Sequence, residues 1–257
     1  MDITSLQNPR VKQVVRLREK RQRERDGLML VEGWDELTLA LGAGWQPHTV
    51  FHAPELATRA IDGIQTEVLT VSRPVFEKMS YRDTPDGWLA VFPLPAPRLQ
   101  DLRLSPVPLL IVAESVEKPG NLGAMLRTAD AAGADALIVC DPRTDIYNPN
   151  VVRASRGALF SVPAVQTSNA AALDFLRRQG ITILAATAHT DVRYTDANLR
   201  QPIAIVVGTE DEGLSDFWLT HADLKVKIPM VGRVESLNVS VAAALIAYEA
   251  VRQRAIP

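Results

Sequence analysis

The feature that most limits the fold is an alternation in the second half of the chain. Leu109–Ala113, Ala136–Cys140 and Ile203–Val207 are uninterrupted apolar runs, and Ile181–Ala186 is broken only by Thr182, with helical patterns between them. A strand covered on both faces needs apolar side chains at every position, and strands joined through helices run parallel. A helix is expected at Asn121–Ala132, where Leu122, Met125, Leu126 and Ala129 form a stripe and Gly133 stops the turn. Further helices are expected at Val151–Leu159 and from a cap at Asn169 to Gln179, and an edge strand at Val162–Val165. The fold class is α/β, with a mostly parallel sheet.

Residues 93 to 108 contain five prolines and no glycine, a stiff, extended composition that reads as a linker. Ahead of it, residues 1 to 92 form a smaller α/β unit. A helical segment over residues 5 to 25 opens at Asn8-Pro9 and closes at Gly27, and Leu28–Val31 follows as a strand. Asp35–Leu41 and Pro74–Met79 read as helices, and His48–His52, Glu67–Val71 and Trp88–Phe92 as strands. The expected division is 1–92, a linker at 93–108, and 109–257.

Composition excludes several classes. No apolar run approaches the ~20 residues that span a bilayer, and the start lacks a signal-peptide pattern, so no membrane partner is expected. Cys140 is the only cysteine, which rules out an internal disulfide and a thiolate metal cluster and suits a reducing cytoplasm. The net charge of −2 hides a basic start. Over residues 1 to 25, Arg10, Lys12, Arg16, Arg18, Lys20, Arg21, Arg23 and Arg25 face only Asp2, Glu19 and Glu24, a balance of +5. Such a run is either a phosphate-binding surface or a solvated helix face with Arg–Glu pairs.

Three stretches carry possible chemistry. In the first, Gly120 and Gly123 permit close backbone approach, Asn121 is placed to cap a helix, and Arg127 lies opposite the apolar stripe, where an ion pair with Asp130 is the plain alternative. In the second, Gly208 to Ser215 (G-T-E-D-E-G-L-S) follows a strand, at the end where open α/β sheets hold ligands. The third runs from Lys227 to Tyr248. Pro229 ends a strand in Ile-Pro-Met, Gly232 turns the chain, and Ser236 and Asn238 precede a helix with a small face at Ala242, Ala243, Ala247 and Ala250. No G-x-G-x-x-G follows a strand and no G-x-x-x-x-G-K-[ST] occurs. His48 and His52 lack a carboxylate partner nearby, so no metal is expected.

Taken together, N-L-G-A-M-L-R-T-A at 121–129, V-V-G-T-E-D-E-G-L-S at 206–215 and I-P-M-V-G-R-V-E-S-L-N-V-S-V-A at 228–242 resemble the three motifs of the SpoU (TrmH) family of RNA ribose 2′-O-methyltransferases. The N-terminal part, with S-L-Q-N-P-R-V-K and L-V-E-G, resembles the RNA-recruiting extension of the family's ribosomal-RNA members, itself similar to a small ribosomal-protein fold. Asp211 departs from the pattern, since many members have a small residue there.

The resemblance implies a SPOUT-type fold whose C-terminal segment is threaded into a deep trefoil knot, with S-adenosylmethionine bent within it. Matching positions place the cofactor at Gly208, Ile228, Met230, Leu237 and Asn238, and catalysis at Arg127, Asn121, Glu210, Ser236 and Asn238. It also implies a homodimer through the C-terminal domain. The target would be ribosomal RNA of the 23S type, with transfer RNA as the alternative; a ribosome-assembly factor that has lost the chemistry is the rival outside catalysis. The family's arginine is the proposed base, yet a guanidinium holds its proton to a pKa above about 12. Arg127 is either deprotonated with help from the RNA phosphate or stays charged and grips that phosphate, and physical chemistry favours the second.

Overall fold

The computed structural model describes residues 2–255. In chain order the first elements are α1 (Pro9–Arg16), α2 (Lys20–Asp26), β1 (Leu28–Glu32), α3 (Trp34–Gly42), β2 (Thr49–His52), β3 (Val68–Thr70), α4 (Arg73–Met79) and β4 (Trp88–Pro93). There follow β5 (Leu109–Glu114), α5 (Pro119–Ala132), β6 (Ala136–Cys140), α6 (Pro149–Ser155), β7 (Ala164–Thr167) and α7 (Asn169–Arg178). The last are β8 (Thr182–Ala186), β9 (Ile203–Val207), α8 (Asp216–His221), β10 (Leu224–Val226) and α9 (Val239–Ala255). The chain divides into two compact units, Met1–Pro95 with Tyr147–Ser161 and Ala96–Ile146 with Val162–Pro257.

The first unit holds a four-stranded sheet in the order β1-β4-β2-β3, antiparallel except for the β2–β3 pair. Residues 5 to 25, expected as one helical segment, fold as two helices. Asn8 caps α1 by accepting from the Arg10 N–H at 2.9 Å, and Val11, Val14 and Leu17 are buried. The break is held by arginine: buried Arg23 donates from Nη1 to the carbonyls of Leu17 and Arg18 at 2.9 and 2.7 Å. Arg18 in turn donates to the carbonyls of Lys78, Met79 and Ser80 at the end of α4. These are orphan helix-end acceptors, and a guanidinium fork satisfies several at once. Much of the basic run is therefore structural. Arg10 pairs with Glu67, Lys20 with Glu24 and Arg25 with Asp26, while Lys12, Arg16 and Arg21 stand exposed.

Glu32 and Gly33 explain why L-V-E-G closes β1. Glu32 is fully buried and accepts from the Ser80 hydroxyl and from the Tyr81 N–H at 2.9 Å. Gly33 has φ 117°, and a Cβ there would collide with Glu36 and Arg82, which pair at 2.7 Å. The helix expected at Val151–Leu159 ends early: Arg156 and Gly157 both turn left-handed (φ 48° and 90°), and only a 3-10 turn follows at Ala158–Phe160. Phe160 packs edge-on against Trp45, centroids 5.2 Å apart.

The second unit is the expected parallel α/β sheet, six strands in the order β10-β8-β9-β5-β6-β7 with every pair parallel. Its central strands β5, β6 and β9 are buried at every position. Pro119 starts α5 two residues before the expected Asn121, its fixed φ suiting the first turn. Ser168, not Asn169, caps α7, accepting from the Ala171 N–H at 3.2 Å. The strand expected to reach Ile-Pro-Met stops at Val226, and Lys227 instead bonds through its N–H to the Val192 carbonyl at 2.9 Å. That strand is β10, whereas α8, too short to show a period, is not among the expected elements. At the far end of α9, Arg254 donates to the carbonyls of Val107, Pro108, Leu199 and Gln201. Among the described residues no helix is long and apolar enough to cross a membrane.

Candidate active site

The site is built where β5, β6 and β9 end. Ser115 and Asp141 follow β5 and β6 in the left-handed region (φ 51° and 44°), a conformation that costs ordinary residues about 1–2 kcal/mol. The Ser115 N–H bonds to the Cys140 carbonyl at 2.9 Å, so the two turns hold each other. From this edge the chain enters α5, whose first turn carries Asn121.

Asn121 is not the cap that its position suggested. Lys118 occupies that place, and the buried Asn121 side chain faces across the unit. Its Nδ2 donates to Glu210 Oε1, and its Oδ1 accepts from Asn238 Nδ2 at 3.1 Å. Asn238 is fixed from behind, since its Oδ1 accepts from the N–H and Oγ of Ser240 at 3.0 and 2.7 Å. One continuous chain of side-chain hydrogen bonds thus joins α5, the loop after β9 and the start of α9. Residues 121, 210 and 238 come from three separated stretches, and each amide is used in the one orientation that satisfies all partners.

The loop after β9 is itself tightly folded. The Thr209 N–H bonds to the Gly213 carbonyl at 2.9 Å, and Thr209 Oγ1 accepts from the Glu212 N–H at 3.0 Å. Gly208 is buried, and a Cβ there would overlap the Gly213 carbonyl. Only glycine fits, which explains that position without any ligand.

The remaining groups are open. Arg127 is exposed on α5 and, among the described residues, has no hydrogen bond or ion pair. Between Lys227 and Asn238, the main-chain and side-chain polar groups of Ile228 to Leu237, Ser236 included, bond to no other described residue. Val231 to Leu237 are exposed, so these groups meet water and are not committed to partners inside the unit, which leaves them available to a ligand that displaces the water. Ile228 and Met230 are half-buried and Leu237 is exposed beside them. The geometry therefore joins Asn121, Glu210 and Asn238 directly. Arg127, Ser236, Ile228, Met230 and Leu237 lie on the same elements without joining that chain.

Sequence reasoning passed over the link between Glu114, Asn169 and Ser215, a second network centred on the buried Glu114 carboxylate. Its one visible signal was a carboxylate ending an otherwise apolar strand, L-L-I-V-A-E.

Residues 108–248 match the SpoU rRNA Methylase family, and residues 8–90 match the MRM3-like substrate binding domain. The chain belongs to the SpoU rRNA methylase family. It is 30% identical over 248 residues to the 23S rRNA (guanosine(2553)-2′-O)-methyltransferase RlmP of Bacillus subtilis, covering 96% of this chain and 97% of that one. A crystal structure of an RNA 2′-O ribose methyltransferase superposes with TM-score 0.87 at 42% identity, covering 99% of both chains. The SpoU methyltransferase AviRb from Streptomyces viridochromogenes, in complex with AdoMet, superposes with TM-score 0.88 at 35% identity, covering 96% of this chain and 99% of that one. These likenesses cover 96–99% of the chain, so they are not confined to the residues of the parallel sheet.

Proposed function

We propose that this protein transfers the methyl group of S-adenosylmethionine to a ribose 2′-hydroxyl of RNA, with 23S-type ribosomal RNA as its target. The observation that carries the reading is the Asn238–Asn121–Glu210 chain, which draws the three motif stretches to one place. Relatives that align along nearly the whole chain act on 23S ribosomal RNA by name, and a solved relative holds AdoMet.

When bound, the cofactor supplies an electrophilic methyl group on a sulfonium; the residues here hold and orient the partners. The unpaired backbone of Ile228 to Leu237, with Gly208 and Met230, suits an adenosyl ligand read through main-chain groups. Asn238, locked by Ser240, sets the boundary between cofactor and nucleotide, with Ser236 beside it. Asn121 and Glu210 shape the ribose side. Arg127, exposed and without an internal partner, is free to take a phosphate bidentately and hold the hydroxyl in line. Alignment of this kind can contribute about 7–11 kcal/mol in ideal cases.

The first unit recruits RNA in this reading, through Lys12, Arg16 and Arg21, the exposed basic groups that pair with no carboxylate among the described residues. In this reading residues 1–92 are the RNA-binding domain, 93–108 the linker and 109–257 the methyltransferase domain, of which Tyr147–Ser161 cluster with the first unit. The C-terminal segment is threaded through a loop to make the trefoil knot. α9 leaves Val241, Leu245 and Tyr248 exposed along one face, and that face pairs with a second copy to form a homodimer.

Two measurements test the proposal. Calorimetric titration with S-adenosylmethionine separates an enzyme from an assembly factor that has lost cofactor binding. Mapping 2′-O-methyl positions in total RNA from cells with and without the gene names the target: a missing position in ribosomal RNA supports the reading, and one in transfer RNA replaces it with the alternative.

A further inference from the structure

We propose that Glu114 is a positioning residue for methyl transfer, whose buried carboxylate fixes the loop that carries Glu210. This rests on the reading of Glu210 given above. β5 is apolar until its last residue, Glu114, which is only 4% exposed. Three donors converge on it. Oε1 accepts from Asn169 Nδ2 at 2.7 Å and from Ser215 Oγ at 2.5 Å, and Oε2 accepts from the Ser215 N–H at 2.9 Å.

The direction of these bonds is fixed from outside. Trp218 Nε1 donates to Asn169 Oδ1 at 2.7 Å, and an indole N–H can only donate. Asn169 must then present its Nδ2 to residue 114, and the backbone N–H of Ser215 is a donor by nature. A carboxylate, with acceptors on both oxygens, satisfies this set without turning any partner around.

The consequence reaches the site through the chain. The loop Gly208–Ser215 leaves β9 at Val207, which is registered against Ala113 of β5, the residue before Glu114. The same loop ends at Ser215, which bonds Glu114 itself. Both ends are therefore tied to the last two residues of β5, and Glu210 lies between the ties. Glu114 touches neither Asn121 nor Asn238; it acts by holding the loop at the distance where Glu210 meets Asn121.

The test is Glu114→Gln, which keeps the volume but puts an amide where an acceptor is needed, so either the Ser215 N–H or Asn169 Nδ2 faces another donor. We expect kcat on RNA to fall about 10²-fold, while KM for RNA and Kd for S-adenosylmethionine stay within about threefold. Ser215→Ala keeps the backbone bond and lowers kcat about threefold to tenfold. The swap Glu114→Gln with Asn169→Asp moves the carboxylate one residue along the network. It leaves acceptors facing Trp218 Nε1 and the new amide, so kcat returns to within about threefold of the unmodified protein.

Unchanged kcat in Glu114→Gln overturns the inference. So does a loss that follows melting temperature and cofactor affinity together, or a swap no more active than the single variant. Glu210→Gln is run beside them. If it is inactive while Glu114→Gln is fully active, only this inference fails; if Glu210→Gln is fully active, the reading of Glu210 fails and takes the inference with it.

Discussion

Two polar clusters in this molecule look alike in composition and differ in how they close. In the first unit, Glu32 accepts from Ser80 and Tyr81, Arg82 donates to the Glu32 carbonyl at 2.5 Å, and Arg82 pairs with Glu36. The buried carboxylates there find their partners inside the unit. In the second unit, Asn121, Glu210 and Asn238 form a chain whose neighbours Arg127 and Ile228 to Leu237 hold no internal partner. A closed network stabilises and specifies a fold. The exposed groups beside the second chain of bonds meet water, and a ligand that displaces that water finds donors and acceptors not already committed inside the unit, which is how a ligand site differs from a structural cluster of hydrogen bonds.

The variants that break this contrast run from large effects to small. Arg127→Lys keeps a positive charge but loses the planar fork, so turnover should fall about 10²–10³-fold with cofactor affinity and melting temperature nearly unchanged. Retained turnover in steady-state assays would remove Arg127 from the site. Asn121→Ala and Glu210→Ala should each lower kcat by at least about tenfold while unfolding free energy shifts by less than about 1 kcal/mol. Should melting temperature and activity fall in step, these residues belong with Glu32 as structural.

The closed network should answer in the opposite way. Glu32→Ala strands the Tyr81 N–H in the core and leaves a cavity, costing about 2–4 kcal/mol in denaturant unfolding. The activity of the molecules that remain folded should be retained if the first unit only recruits RNA. Glu32→Gln is milder, because Ser80 can turn its hydroxyl and accept from the new amide. Burial raises the Glu32 carboxyl above the usual glutamate range, only partly offset by the Ser80 and Tyr81 bonds. The folded state therefore holds that proton more tightly than the unfolded chain does. Stability from this group is fully present below the ordinary glutamate pKa and is lost as pH rises through the raised value. Thermal melts across that interval should show the decline in the unmodified protein and not in Glu32→Gln.

Smallest in effect on function is Arg254→Ala, far along α9 from Asn238. It frees four carbonyls that Arg254 now satisfies, some of them still reachable by water, so a loss of about 1–3 kcal/mol is expected with kcat unchanged.

What could be read beforehand follows from the range of the forces involved. The strands β5, β6, β8 and β9 were legible because nearly all their positions are apolar, Thr182 and Glu114 excepted, and the parallel α/β class followed from their spacing. Asn121, Glu210 and Asn238 were legible only as motif positions; that they share hydrogen bonds depends on contacts across 89 and 117 residues, which no local pattern encodes. The same limit hid the roles of Arg18 and Arg23. As sequence they belong to a basic run, whereas in the structure Arg18, half-buried, and Arg23, buried, commit their guanidinium groups to helix-end carbonyls. Asn169 shows the reverse error: a good capping residue was available, but Ser168 took the cap and released Asn169 for Glu114 and Trp218.

The account stands or falls on where a methyl group goes. The protein is incubated with methyl-labelled S-adenosylmethionine and ribosomal RNA, with Asn121→Ala in parallel, and the labelled position is mapped. The account predicts label on a single ribose 2′-oxygen, resistant to alkali, and nearly absent with Asn121→Ala. Label on a base, or cofactor bound with no label reaching RNA, contradicts it.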